Sequence, residues 1–349
     1  MSAFPARPDD ITADWWGTVL GRVPERWRWE AIGTGQVGDS VRFTLDFGDG
    51  AGPVTLAGKF AAADPTSRGT AAMLGLYAKE VRFYRDLAPA LPVRTPETLF
   101  AAMAEDGASF CLIFEDLGPA RGGNQIAGCS LADARAAVKQ AAALHAPSWH
   151  DPAILGLDWL QPSPAAAAQV KALYPRAQAI FRERYTGLLE PEYMDLCEAL
   201  AEITAVTDRE SENVSLVHGD FRLDNLLFDI KGGTEEIAVL DWQTLTLGHG
   251  LTDIGYFLGC GIGDDLRRAH EGELLDLYCA EMTARGVPLT RDEVWRDYVM
   301  GALHGVSTAV FSAAFVERTA RGDANFLSMA RGACALAREH GSLGMMQKG

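Results

Sequence analysis

The chain has 349 residues, 48% hydrophobic and 22% charged, with a net charge of −16. That length accommodates one large or two ordinary domains around a sizeable core, and the composition is that of a soluble globular protein. The acidic balance excludes a nucleic-acid surface, which needs clustered Lys and Arg to displace counterions, and is compatible with a cationic ligand without requiring one.

Cys111, Cys129, Cys197, Cys260, Cys279 and Cys334 are scattered, with no C-x-x-C pair. They read as reduced thiols of a cytoplasmic protein. Met1–Asp14 lacks the basic-then-apolar order of a signal peptide. Tyr298–Val316 contains no Asp, Glu, Lys or Arg, which raises the question of a membrane span. Gly301, His304, Gly305, Ser307, Thr308 and Ser312 lower its hydropathy, so a buried core helix is expected and no membrane partner.

Asp10–Leu20 reads as a leading helix capped by Asp10 or Thr12, with Trp15, Trp16 and Leu20 for burial. Gly33-Thr34-Gly35-Gln36-Val37-Gly38 satisfies G-x-G-x-x-G. A dinucleotide site requires a helix next, whereas Val41–Phe47 alternates as a strand does. A glycine turn between strands lets backbone amides of Gly35 to Gly38 approach phosphates, or is simply a turn. After the turn-forming Gly48–Pro53, Val54–Phe60 returns as a second strand, with Val54, Leu56 and Phe60 on one face and Thr55, Ala57 and Lys59 on the other.

Thr70–Leu87 has helical spacing, with Met73, Leu76, Tyr77, Phe83, Tyr84 and Leu87 on one stripe and Glu80 among them. A carboxylate on a buried face is expensive unless paired, and Lys59 is the available partner; at the edge of the stripe it would meet water instead. Ser109–Phe114 reads as a buried strand ending at Glu115-Asp116-Leu117-Gly118. Beyond Gly123 the composition is helical, from Leu131 to His145, Pro164 to Tyr185 and Pro191 to Asp208; His145 reads as a packed, hydrogen-bonded residue.

Ser215-Leu216-Val217 then delivers His218-Gly219-Asp220-Phe221-Arg222-Leu223-Asp224-Asn225. Asp220 follows an apolar strand and suits a hydroxyl-activating base, while Asp224 is expected to face solvent. Arg222 has two readings, phosphate contact or pairing with an acid. Leu226–Ile230, the turn Lys231–Thr234 and Ile237–Leu240 form a hairpin that returns Asp241 toward Asn225. A carboxylate and an amide oxygen are ligands suited to Mg²⁺, so Asn225 and Asp241 are the metal candidates. Asp253 opens another helix, where an acid is favoured by the helix dipole. Together these are the residue types of magnesium-dependent phosphoryl transfer.

His-Gly-Asp, four residues, Asn, and then Leu240-Asp241-Trp242 resembles the aminoglycoside phosphotransferase and choline kinase group. Tyr77–Leu87 and Phe114–Leu117 look most like its ecdysteroid-kinase-like branch and bacterial relatives. The likeness covers about Gly33 to Phe257. It implies an α+β, bilobal protein-kinase-like fold, with a small antiparallel-sheet N-lobe (residues 1–115) and a mainly helical C-lobe (116–349). It also implies ATP and Mg²⁺ as cofactors, with Asp220 as base, Lys59, held by Glu80, clamping the phosphates, and, as the alternative to a helix-dipole acid, Asp253 supporting the loop backbone. Ala57 would lie against adenine and the backbone near Phe114 and Glu115 would pair with it. The acceptor would be a hydroxyl of a small organic molecule in a pocket of C-lobe helices, where aromatics such as Trp149, Trp159, Tyr174 and Tyr256 either line it or merely pack. Two rivals are a silent nucleotide-binding scaffold and a hydrolase using Asp220 with Asp241.

Overall fold

A computed structural model describes residues 4–33, 37–161, 164–204, 213–316 and 318–346. The chain divides into two compact units. The first comprises Met1–Arg121 with Asp229–Leu245, the second Gly122–Phe228 with Thr246–Gly349. Asp229–Leu245 thus belongs with the first unit, although the sequence reading grouped everything after residue 115 with the helical part.

The first unit is built on an antiparallel sheet of β1 (Arg26–Ala31), β2 (Gly38–Asp46), β3 (Val54–Ala61), β4 (Thr98–Met103) and β5 (Phe110–Glu115), in the order β1-β2-β3-β5-β4. Period-two alternation sends Val41, Phe43 and Leu45 of β2 and Leu56 and Phe60 of β3 into one core with Trp16. Each such side chain contributes about 2–3 kcal/mol by leaving water. Trp16 lies on α1 (Ala13–Leu20), capped by Thr12, whose Oγ1 accepts from Trp15 N at 3.2 Å. Gly58 passes where the Phe43 ring leaves no room, since a Cβ there would lie 2.7 Å from Phe43 Cε2.

The helix expected over Thr70–Leu87 is interrupted. α2 (Pro65–Met73) ends ahead of Gly75, which adopts φ 68°, and α3 (Leu76–Arg82) continues through a π turn to Leu87. The left-handed residue resets the helical phase, so Met73 is 76% exposed instead of joining the stripe. Tyr77, Glu80, Val81, Phe83, Tyr84 and Leu87 are the buried face.

In the same unit, Asp229–Leu245 is fastened to the segment after β5. Lys231 N donates to Leu117 O and Gly232 N to Pro119 O, each at 2.8 Å. Arg94 meets Glu115 at 2.6 Å and Glu235 at 2.5 Å, and Lys231 meets the same two acids at 2.6 and 2.9 Å.

The second unit is mainly helical. A two-stranded ladder pairs Val214–Val217 with Thr246–His249. The helix Leu131–Ser148 starts in a capping box of Ser130 and Asp133 and runs past the expected stop, carrying Pro147 in its last turn. Leu251–Cys260 crosses Arg291–Phe315 closely at Gly255 and Gly301, because a Cβ on Gly255 would lie 2.5 Å from Tyr298 O. Arg291–Phe315 is the one helix among the described residues long and apolar enough to cross a membrane. Here Val299, Ala302, Leu303, Val306 and Val310 are buried in the unit's own core, as expected of a core helix.

Candidate active site

Alternation along β3 puts Lys59 opposite Phe60, off the main core. Its Nζ lies 2.7 Å from Glu80 Oε1 and 3.0 Å from Asp241 Oδ1. The expected Lys59–Glu80 pair is formed, with Glu80 only 1% exposed. Burial alone would lower the lysine, but the charges of Asp241 and Glu80 outweigh it and hold Lys59 above its ordinary value. For Glu80, burial dominates over the attraction of Lys59, so its carboxyl is raised. Asp241 sits at φ 64°, a left-handed backbone that Asp tolerates better than most residues. Its Oδ2 accepts from Gln243 Nε2 at 3.3 Å, and the next residue, Trp242, stacks on Phe83 at 3.8 Å and 12°. The stack locks this segment against α3; its signal in the sequence was an aromatic at each end, with no spacing rule to join them.

The remaining first-unit candidates are placed less uniformly. Gly35 lies outside the described residues. Gly38 opens β2 where a Cβ would sit 3.0 Å from Phe60 O and 3.3 Å from Lys59 Cε, so it makes room for the lysine stem. Ala57 pairs opposite Phe114 across β3 and β5. The Phe114 ring is buried against Tyr84, with centroids 4.6 Å apart. Glu115 donates its N–H to Glu97 O at 3.0 Å and spends its carboxylate on Arg94 and Lys231. That amide is therefore already paired within the first unit.

In the second unit, Asp253 is the hub of the loop after Val214–Val217. It accepts from His218 N at 2.7 Å, Gly219 N at 3.0 Å and His145 Nε2 at 3.2 Å, while His145 Nδ1 meets Tyr278 Oη at 3.0 Å. The loop-support reading of Asp253 and the packed reading of His145 are the ones the structure realises. Gly219 takes φ 81°, and its carbonyl accepts from His304 Nε2 at 2.7 Å. His218 Nδ1 accepts from Asp220 N at 3.2 Å.

So held, Asp220 is surrounded by donors. Tyr256 Oη donates to Oδ1 at 2.8 Å, while Arg222 Nε and Asn225 Nδ2 donate to Oδ2 at 3.1 and 2.9 Å. Burial pushes this carboxyl up, but Arg222, Tyr256 and His218 together outweigh it and hold Asp220 below the usual carboxylate range. Asn225 Nδ2 also donates to Asp220 O at 2.9 Å, which leaves Oδ1 as its accepting end. Of the two readings of Arg222, pairing with acids is the one present, since it also bonds Asp224 at 3.1 Å. The expectation that Asp224 faces solvent is corrected. Its side chain is 12% exposed and accepts from Arg222, Gln125 N and Arg321, because the chain turns inward there to meet Gln125.

Among the described residues no cluster of three or more His, Cys, Asp or Glu is arranged to hold a metal. Mg²⁺ keeps several waters and is bound through few protein oxygens beside substrate phosphates, and each unit offers one oxygen of that type. Asn225 Oδ1 and the Asp241 carboxylate are such oxygens.

Comparison with known proteins gives these groups a context. The model of the phosphotransferase enzyme family matches residues 66–288, more than half of the chain. Choline kinase from Cryptosporidium parvum has a similar solved structure, 11% identical, covering 92% of this chain and 91% of that one with a TM-score of 0.56. Aminoglycoside 2′-phosphotransferase-IIIa in its GDP complex is 15% identical, covering 92% and 96%, with a TM-score of 0.52. These likenesses show the fold, which is the expected α+β, bilobal kinase-like one. Human acyl-CoA dehydrogenase family member 11 is 50% identical over 50 residues, 14% of this chain. The matched stretch spans only 6% of that relative's length.

Proposed function

This chain belongs to the phosphotransferase enzyme family, and from that premise we propose that it moves the γ-phosphoryl group of ATP to a hydroxyl of a small organic molecule. The observation that carries the reading is Asp220, kept ionised by Arg222 and Tyr256 although largely withdrawn from water. A base must be unprotonated before it can accept the proton of an attacking alcohol.

In this reading Asp220 orients the acceptor hydroxyl and takes its proton as the oxygen bonds to the γ-phosphorus. The bond to the bridging oxygen breaks and ADP leaves. Lys59, held by Glu80, binds the nucleotide phosphates, while Ala57 and the backbone near Phe114 and Glu115 receive the adenine. Gly35 and Gly38 approach the phosphates from the glycine turn. Asn225 and Asp241 would hold Mg²⁺, which when bound neutralises charge on the phosphates. Six free cysteines suit a reducing compartment, and the reaction is proposed as cytoplasmic.

The motif likeness to the ecdysteroid-kinase-like branch and the naming of a relative as an acyl-CoA dehydrogenase set the acceptor panel. It contains steroid alcohols, hydroxyacyl-CoA thioesters, choline and aminoglycosides. Substrate-stimulated ADP release in Mg²⁺ is expected from the native chain. Asp220→Asn should lower it by about 10²–10⁴-fold while nucleotide binding persists. Equal turnover in both proteins would remove Asp220 from its role, and turnover without ATP would favour a hydrolase.

A further inference from the structure

We infer that the acceptor of this reaction is an alcohol carried on an extended, uncharged apolar body, lodged along the helix Arg291–Phe315. The inference rests on the phosphotransferase reading of Asp220 and names the substrate class of that site. It begins at His304, which bonds the Gly219 carbonyl beside Asp220 and packs against Tyr256 with ring centroids 5.2 Å apart.

From that residue a partly exposed stripe runs away from the loop at helical spacing, His304, Thr308, Phe311 and Phe315. Its polarity is graded. Thr308 Oγ1 lies 3.5 Å from His304 Nε2, next to the loop, while Phe311 and Phe315 pair farther along at 5.8 Å. Tyr174 extends the apolar side by packing on Phe311 at 5.1 Å, and Val170, one turn before it, is 50% exposed. Phe315 is 49% exposed. Exposed aromatic surface continuous with a polar, loop-bonded end is an arrangement that an amphipathic ligand completes.

Charge separates this ligand from a polycation. Residues 298–316 carry no Asp or Glu, whereas ammonium groups brought to this face would need carboxylates to replace their water. Phe315 lies eleven positions after His304, roughly 16 Å of helix, which is the length of tail the stripe accepts.

The test measures binding by calorimetry of straight-chain secondary alcohols from about four to about twelve carbons, with kanamycin as the polycation, alongside ADP release. Each added methylene should tighten binding about two- to fourfold until the tail passes Phe315. Phe311→Ser and Phe315→Ser, both at partly exposed positions, should flatten that slope with unchanged circular dichroism. A flat series in the native chain, or kanamycin binding more tightly than the longest alcohol, overturns the proposal. Graded binding without ADP release would keep the apolar stripe as a binding surface and discard the transfer reaction. ADP release with a flat series would do the reverse.

Discussion

Glu80 and Asp253 are both buried acids on helices, 1% and 0% exposed, and each organises the candidate groups of its own unit. They are held in opposite ways. Burial pushes the Asp253 carboxyl up, but the bond and charge of His145, then His218 and the backbone N–H of Gly219, hold it low, with the His218 N–H also bonded to it. Glu80 depends chiefly on Lys59, and burial prevails, so its carboxyl is raised. An acid that also holds two fixed backbone N–H bonds keeps those partners when a side chain moves, whereas an acid satisfied chiefly by a lysine is charged only while the lysine stays. The loop after Val217 is therefore built as a rigid part, and the lysine pair as a conditional one.

Asp253→Asn breaks this comparison at its strongest point. The amide places donors against donors, and the expected loss is about 3–5 kcal/mol in urea denaturation; a loss below about 1 kcal/mol would mean the loop holds itself. Lys59→Met comes next, at about 2–3 kcal/mol near neutral pH, because Glu80 must then lose its charge or stay buried without a partner. The sign is distinctive. With its folded value raised, Glu80 binds its proton more tightly folded than unfolded, so the variant should lose stability as pH rises from the ordinary glutamate range through that raised value. The native chain should show a slope of the same sign but a weaker one, because Lys59 offsets part of the burial that raises Glu80. ATP affinity in the variant should fall about tenfold or more, about 1.4 kcal/mol, by fluorescence titration.

How far these groups were legible in the sequence follows the same division. Glu80 stood out because an acid inside an apolar stripe needs a partner, and period-two alternation had already put Lys59 on the open face of β3. Helical spacing alone extends the stripe too far, since a glycine at position 75 does not announce whether it will be helical or left-handed. Asp253 was ambiguous because an acid in a first helical turn has a sufficient local reason to be there. Only the fold brings His218, Gly219 and His145 to it. Asp224 was misjudged for want of Gln125 and Arg321, about a hundred residues away on either side. Tyr256 reads in the sequence as an aromatic of the acceptor pocket or of the packing and not as a donor to Asp220, because its hydroxyl has no sequence neighbour to reveal it.

A smaller effect sharpens the contrast at the surface of the first unit. Glu235 is drawn down to about 2, chiefly by its bond from Arg94 and then by Lys231. Its folded value is depressed, so it contributes stability above the ordinary glutamate range and loses it as pH falls toward about 2. The group is about a third exposed, and solvent screening limits the effect to about 1 kcal/mol. Glu235→Gln should show a correspondingly shallower acid decline in thermal midpoint, and less difference from the native chain at high salt.

Gly38→Ala is the finest test, because two accounts of that glycine predict different things. If the residue exists to let phosphate approach, a methyl group should weaken ATP binding and leave folding alone. If it exists to let β2 pass over the lysine stem, the methyl meets Phe60 O at 3.0 Å and Lys59 Cε at 3.3 Å. The strand oxygen cannot retreat without parting β2 from β3, so the lysine must move and both properties suffer. The contacts favour the second account. A loss of about 0.5–1 kcal/mol in stability should accompany a two- to threefold rise in ATP KM. Tenfold weaker ATP binding at an unchanged melting temperature would return Gly38 to the phosphate and leave Lys59 to be placed by Glu80 and Asp241 alone.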